Sequence, residues 1–291
     1  MLGVVLVPAS VFAQEPQFRQ MEITQPRTLG APVSTQMQVP QVEDEEIGKQ
    51  FLLRRKAAVP QFAITGDAQY FYTSNALLLP KGKEDDFVFV GTSQASWNPT
   101  WIKDVTGSVF VRQQFFRYNR HIDIDFDASA AGFNAGGAVE DWFTLSGGYT
   151  ATRLESRPTD DEFYKEGDAA LIISRSQKFT DRLVLPYGYT FDFYHTSPDD
   201  YTRFTHGMFV GLNWAAMQKM LVQVLYRFQL EDYQRVERED KASIISLAML
   251  YQFTNWASAR AFVSFTSNDS SIDRDYEIFN TGAGVSLSLR F

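Results

Sequence analysis

From about residue 61 to the C-terminus, large apolar residues fall on every second position. Segment 277–291 shows this most plainly. Phe279, Ala283, Val285, Leu287, Leu289 and Phe291 take one parity, and Asn280, Gly282, Gly284, Ser286, Ser288 and Arg290 take the other. A period of two sends the two sets to opposite faces of a β-strand. The pattern recurs in twelve segments, at about 61–75, 86–98, 105–119, 122–135, 141–154, 163–177, 182–195, 201–215, 219–233, 241–254, 257–268 and 277–291. Soluble strands usually run to about five or six residues. A tilted strand needs ~9–11 residues to cross a bilayer, and these segments have that length. The expected fold is all-β, a closed antiparallel transmembrane β-barrel of twelve strands over 61–291, with a mostly unstructured N-terminal segment.

The connections point the same way. Turns such as VED (139–141), AMQK (216–219) and NW (255–256) are short. They alternate with charged connections such as ALLLPKGKEDD (76–86), ESRPTDDE (155–162), TSPDDY (196–201), VERED (236–240) and NDSSIDRDY (268–276), with RYNRH (117–121) as the exception. Outer-membrane barrels join strands by short periplasmic turns and longer outside loops. With an even strand count, both chain ends are then expected on the periplasmic side of a bacterial outer membrane. Tyr70, Tyr72, Phe87, Phe89, Trp97, Trp101, Trp142, Trp214 and Trp256 lie close to the expected turns, as interfacial aromatic girdles do.

The second face of each segment decides between lipid and water as the partner of the first. In 219–233, Val222, Val224, Tyr226, Phe228 and Leu230 oppose Gln223, Arg227 and Gln229. In 241–254, Ile245, Leu247, Met249, Tyr251 and Phe253 oppose Ser246, Ala248 and Gln252. A free surface would carry many Lys and Glu. Gly, Ser, Thr and Gln with a few lone charges suit a crowded wet interior, which leaves the apolar face to outer-membrane lipid.

The first 60 residues differ. MLGVVLVPASVFAQEP carries an apolar run from Leu2 to Phe12 and then V-F-A before Gln14, although a basic n-region is missing. The run resembles a secretory signal peptide, residues 1–13, cut after Ala13. Pro16, Pro26, Pro32 and Pro40 punctuate a Gln-rich stretch, so residues 14–60 are expected to be a flexible periplasmic segment. Within it VEDEEIGKQFLLRRKAA (42–58) can form a short helix, with an acidic start and a basic end that suit the helix dipole. Two readings stand for it: a solvated linker with one docking turn, or a segment tucked into the lumen or bound to a periplasmic partner.

QYFYTSNALLL followed by KEDDFVFV resembles the opening of outer-membrane porin-like barrel families, in which an aromatic strand ends in a Ser/Asp-Asn tip and an Asp-Asp-aromatic start follows a polar loop. Tyr72, Ser74 and Asn75 match the first part and Asp85, Asp86 and Phe87 the second. The resemblance implies fold and location and brings no catalytic residues. Val285, Leu287, Leu289 and the terminal Phe291 also resemble the C-terminal assembly signal that the bacterial barrel-assembly machinery reads. This last strand is expected to close the sheet against the first, because an open edge in lipid leaves backbone groups unsatisfied.

Composition removes several function classes. There is no cysteine, so disulfides and thiolate metal sites are excluded. A net charge of −8 argues against a nucleic-acid partner. The alternation assigns Asp67, Asp123, Asp125, Asp127, Asp168 and Asp192 to the lumen, with Arg112, Arg227, Arg260 and Arg290 roughly opposite them. Opposed walls of this kind would give a transverse field that orients solutes and sets ion preference. The alternative is that the same ions pair across a narrow lumen. HIDIDFD (121–127) puts three carboxylates at period two, a cation-attracting ladder that lacks the Gly of a Ca²⁺ loop, and no metal or cofactor is expected. Only His121, His195 and His206 could serve acid–base chemistry, and no nucleophile motif accompanies them, so an outer-membrane hydrolase is the least favoured function. The expected function is passive diffusion of small polar solutes or ions. The alternative is a non-conducting structural or assembly barrel that anchors a periplasmic partner of 14–60.

Overall fold

The computed structural model describes residues 15–24, 61–99, 105–140 and 142–291. Residues 1–13, the 42–58 segment and Trp101 lie outside these described residues. Among the described residues one α-helix, α1 (Glu15–Thr24), precedes twelve strands: β1 (Phe62–Thr73), β2 (Asp86–Trp97), β3 (Val105–Tyr118), β4 (Phe126–Val139), β5 (Phe143–Ser156), β6 (Glu162–Thr180), β7 (Leu183–Ser197), β8 (Arg203–Met217), β9 (Met220–Tyr233), β10 (Glu239–Gln252), β11 (Ala257–Ser270) and β12 (Tyr276–Arg290). Every strand pairs antiparallel with its sequence neighbours, and β12 pairs with β1 to close a barrel. The closing register runs from Ala63↔Arg290 to Thr73↔Asn280. It is finished by Phe62 N–H donating to Phe291 C=O at 3.2 Å and Phe291 N–H donating to Phe62 C=O at 2.9 Å. The terminal Phe is thus the last rung of the seam, and the sheet has no free edge.

The alternation read from sequence is the one the barrel uses. Val285, Leu287 and Leu289 are each more than half exposed on the outer wall, as are Ile64 and Ile245. A continuous apolar outer surface of this size is stable only against lipid. Tyr70 stacks on Phe87 at 5.5 Å near one rim, while Trp142, Trp214 and Trp256 lie exposed near the other. No described helix is long and apolar enough to cross a membrane.

The two rims, a turn end and a loop end, differ in their connections. The turn end holds both ends of the β-sheet and connections as short as 181–182 and 218–219. The loop end holds 74–85, 119–125, 157–161, 198–202, 234–238 and 271–275. The length contrast is smaller than the sequence suggests, because strands such as β11 run on into the expected loops. One segment is displaced. Residues 121–125 do not continue a strand but turn through a 3₁₀ helix at Ile122–Ile124, so β4 starts at Phe126.

The interior is not uniformly polar. In its loop-end half the β1–β6 wall is apolar and buried: Phe71, Val88, Val90, Phe116, Phe126 and Leu154 all face inward. Phe116 stacks on Phe126 at 4.3 Å. Gly282, paired with Phe71 across the seam, gives that ring room. A Cβ on Gly282 would come within 2.3 Å of the Phe71 side chain. Towards the turn end many inward positions are small, with Ser146, Gly148, Ser246 and Ser286 typical, beside larger residues such as Phe110, Arg112 and Leu225.

Candidate functional site

The apolar wall has an occupant. α1, from the stretch expected to be flexible, sits inside the loop-end mouth of the barrel, and its side chains from Glu15 to Met21 are buried. Pro16 is tolerated there because a first-turn N–H has no intrahelical acceptor. Phe18 and Met21, three residues apart, share one side of the helix. Phe18 lies parallel on Tyr164 at 4.6 Å and edge-on to Tyr201 at 4.7 Å. Burying these two side chains stabilises the seated helix by about 1.5–3 kcal/mol each.

The rest of α1 meets ionised groups on β8–β10. The Arg19 guanidinium donates two parallel hydrogen bonds to the Glu231 carboxylate, at 3.0 and 2.6 Å, and another to the Tyr233 hydroxyl. Asp240 lies 3.6 Å away. Glu22 accepts from Arg19 at 3.0 Å and from Arg203. Glu15 accepts from Arg238 at 2.7 Å, and Arg238 also makes a two-pronged contact with Asp240 at 2.9 and 2.6 Å. Two amides finish the docking, Gln17 to the Ile124 carbonyl and Gln20 to the Asn75 carbonyl, each at 3.3 Å. Burial works against the charge on Arg19, but Glu231, Tyr233 and Glu22 outweigh it and hold the guanidinium well above its ordinary pKa. Arg238 in the 234–238 loop shows the same balance, with burial opposed by Tyr233, Asp240 and Glu15. Both stay cationic at any working pH.

The sequence-assigned lumen residues divide into two groups. Asp67, Arg112, Asp168, Asp192, Arg227, Arg260 and Arg290 do take the inward parity of their strands. They do not sort onto an acidic and a basic wall. Arg260 donates to Asp67 at 3.1 Å and to Gln69 at 2.6 Å across β12, so these opposite charges are neighbours rather than facing poles. Arg290 contacts Ser288 at 3.3 Å at the turn end. Asp123, Asp125 and Asp127 form no lumen ladder, because the chain there turns instead of extending. Asp123 is exposed in the 3₁₀ turn. Asp125 accepts the Tyr118 backbone N–H at 2.7 Å. Asp127 takes the outward parity and pairs with Arg117 at 2.6 Å. Among the described residues no group of three or more His, Asp or Glu is arranged to hold a metal.

The histidines do not converge. His121 lies 3.3 Å from Glu84 in the loops, and His206 contacts the Tyr189 hydroxyl on the outer face. What sequence reasoning missed was the docking site. Glu231 shares its strand parity with Arg227 and Gln229, and Arg203 shares its parity with Gly207 and Gly211, so their inward direction was legible. Their partner was not. An ionic helix has no apolar stripe of period 3.6 to announce it.

No family model matches the chain, and no curated protein matches it. Among solved structures the fold is similar to the COG4313 outer membrane channel from Pseudomonas putida F1, with a TM-score of 0.56 and 9% identity over 80% of this chain and 97% of that one. It also matches the KdgM porin (TM-score 0.44, 9% identity, 78% and 99% covered) and the β domain of the Bordetella autotransporter BrkA (TM-score 0.47, 9% identity, 79% and 100% covered). At these identities the likeness is one of fold. With its closed sheet, apolar outer wall and aromatic rims, the chain is an outer-membrane-type β-barrel.

Proposed function

We propose that the protein is an outer-membrane channel for small polar solutes or ions, shut in the present conformation by α1. The turn end with both sheet termini faces the periplasm, and the seam strand with Val285, Leu287, Leu289 and Phe291 is what the barrel-assembly machinery reads. The observation that carries the channel reading is the chemistry of the α1 seat. A helix meant only to fill a barrel would be held by apolar packing. Here ion pairs from Glu15, Arg19 and Glu22 share the contact with Phe18 and Met21, and buried ion pairs roughly break even against hydration. When α1 leaves, Arg203, Glu231, Arg238 and Asp240 face lumen water and are satisfied by it. Both the seated and the vacated barrel are then stable, and the polar turn-end half supplies the rest of the path.

The filled mouth also favours a second reading, a non-conducting barrel that serves as an anchor. Planar-bilayer recording of the whole protein separates the two. Wild type is expected to give rare or small steps. Phe18→Ala/Arg19→Ala, which unseats α1, is expected to give large, salt-dependent ones. A double variant with α1 released and no conductance would establish the anchor. Catalysis has no support in the positions of the three histidines.

A further inference from the structure

We infer that the β9–β10 wall of the mouth is a binding site for guanidinium-bearing solutes, arginine and short arginine-containing peptides, and that Arg19 is its resident occupant. This rests on α1 being displaceable, as the channel reading requires. Glu231, Tyr233 and Asp240 come from one hairpin, with Asp240 directly opposite Glu231 in the register, so the cradle belongs to the rigid wall and not to the helix. Its contacts to Arg19 fit a planar fork: a two-pronged carboxylate, a phenol oxygen and a second carboxylate. An ammonium ion cannot make the two-pronged contact.

Beside the cradle the wall also offers a carboxylate partner. Arg203 holds Glu22 there and reaches Glu231 at 3.5 Å. The pair of subsites, one for a guanidinium and one for a carboxylate, matches a zwitterion. A polar cavity of about 30 Å³ adjoins them on the lumen side, bounded by Arg227 and Gln229. A solute arriving from the lumen therefore competes with Arg19 for groups already oriented to receive it. Because α1 is tethered, such a competitor must work against an effective concentration on the order of millimolar. A ligand shifts the helix only by its preference for the vacated state.

The test uses the full-length protein with Arg19→Ala, which empties the cradle, and L-arginine as the probe. Saturation-transfer NMR should give a signal several-fold stronger for L-arginine than for L-lysine. The signal should vanish in Arg19→Ala/Glu231→Gln. In wild type, L-arginine should speed cleavage after Glu22 by a Glu-specific protease several-fold, and equal NaCl or L-lysine should not. Barrel integrity of each variant is checked by its mobility on unheated gels. An intact Arg19→Ala barrel that does not distinguish arginine from lysine overturns the site. Conductance is read on the same variant. A conducting variant blind to arginine sinks the site and keeps the channel. A variant that binds arginine, is cut rapidly after Glu22 because α1 is released, and stays silent keeps the site and sinks the channel.

Discussion

The two halves of the barrel interior are built from the same twelve strands and differ in almost everything else. At the loop end the β1–β6 wall carries Phe71, Phe116, Phe126 and Leu154, the β8–β10 wall carries Arg203, Glu231 and Asp240, and α1 fills the space between. At the turn end many inward positions are Ser, Gly and Thr, with arginines among them, and the Arg260–Asp67 ion pair spans a single intervening strand. Large apolar side chains fill the space where α1 docks, and smaller polar ones are commoner at the opposite end. The two-faced mouth explains why α1 is neither a greasy core helix nor a free linker. One side of it seeks aromatics and the other seeks counter-ions.

The contrast can be broken at the mouth first. Phe116→Ala removes a fully buried ring stacked on Phe126 and should lower barrel stability by about 3–5 kcal/mol, measured by urea unfolding in lipid vesicles. Arg19→Ala should be comparable for α1 itself. It strips Glu231 of its main cation, weakens seating by about 3–5 kcal/mol, and exposes Glu22 to a Glu-specific protease. If Glu22 is cut equally fast in wild type, α1 is not seated and the comparison fails.

Smaller effects belong to the other half. In the Phe18→Ala/Arg19→Ala background, Arg227→Glu with Arg260→Glu should move the reversal potential in a salt gradient towards cation preference, because both side chains line the interior below α1. An unmoved potential would mean that the turn-end charges do not set selectivity. Ser246→Ala should change stability by no more than about 0.5 kcal/mol in the same urea assay, since it removes one hydroxyl from a thinly packed wall. A loss as large as that for Phe116→Ala would show that the turn-end half is packed like the mouth.

The sequence was most legible where one strand suffices. In β12 the inward and outward sets from Tyr276 to Arg290 follow parity alone, and so do the inward placements of Asp67, Arg112 and Arg227. It failed at HIDIDFD, where alternating letters conceal a turn. The Asp125 carboxylate is spent on the Tyr118 backbone N–H, and Asp127 is spent on Arg117. It also failed to pair Asp67 with Arg260, whose numbers lie 193 apart and whose strands are brought close only by closure.

What the sequence determined by itself was therefore the wall: twelve period-two segments, their two faces and the closing terminal strand, because a β-strand's side-chain direction is a local property of the backbone. What only the tertiary structure decided was the content of the lumen. Arg19, Glu22 and Phe18 have no local reason to be buried in the stretch EPQFRQMEIT. Their stability depends on Glu231, Arg203 and Tyr164, which stand more than a hundred residues away and become one site when the sheet curls shut.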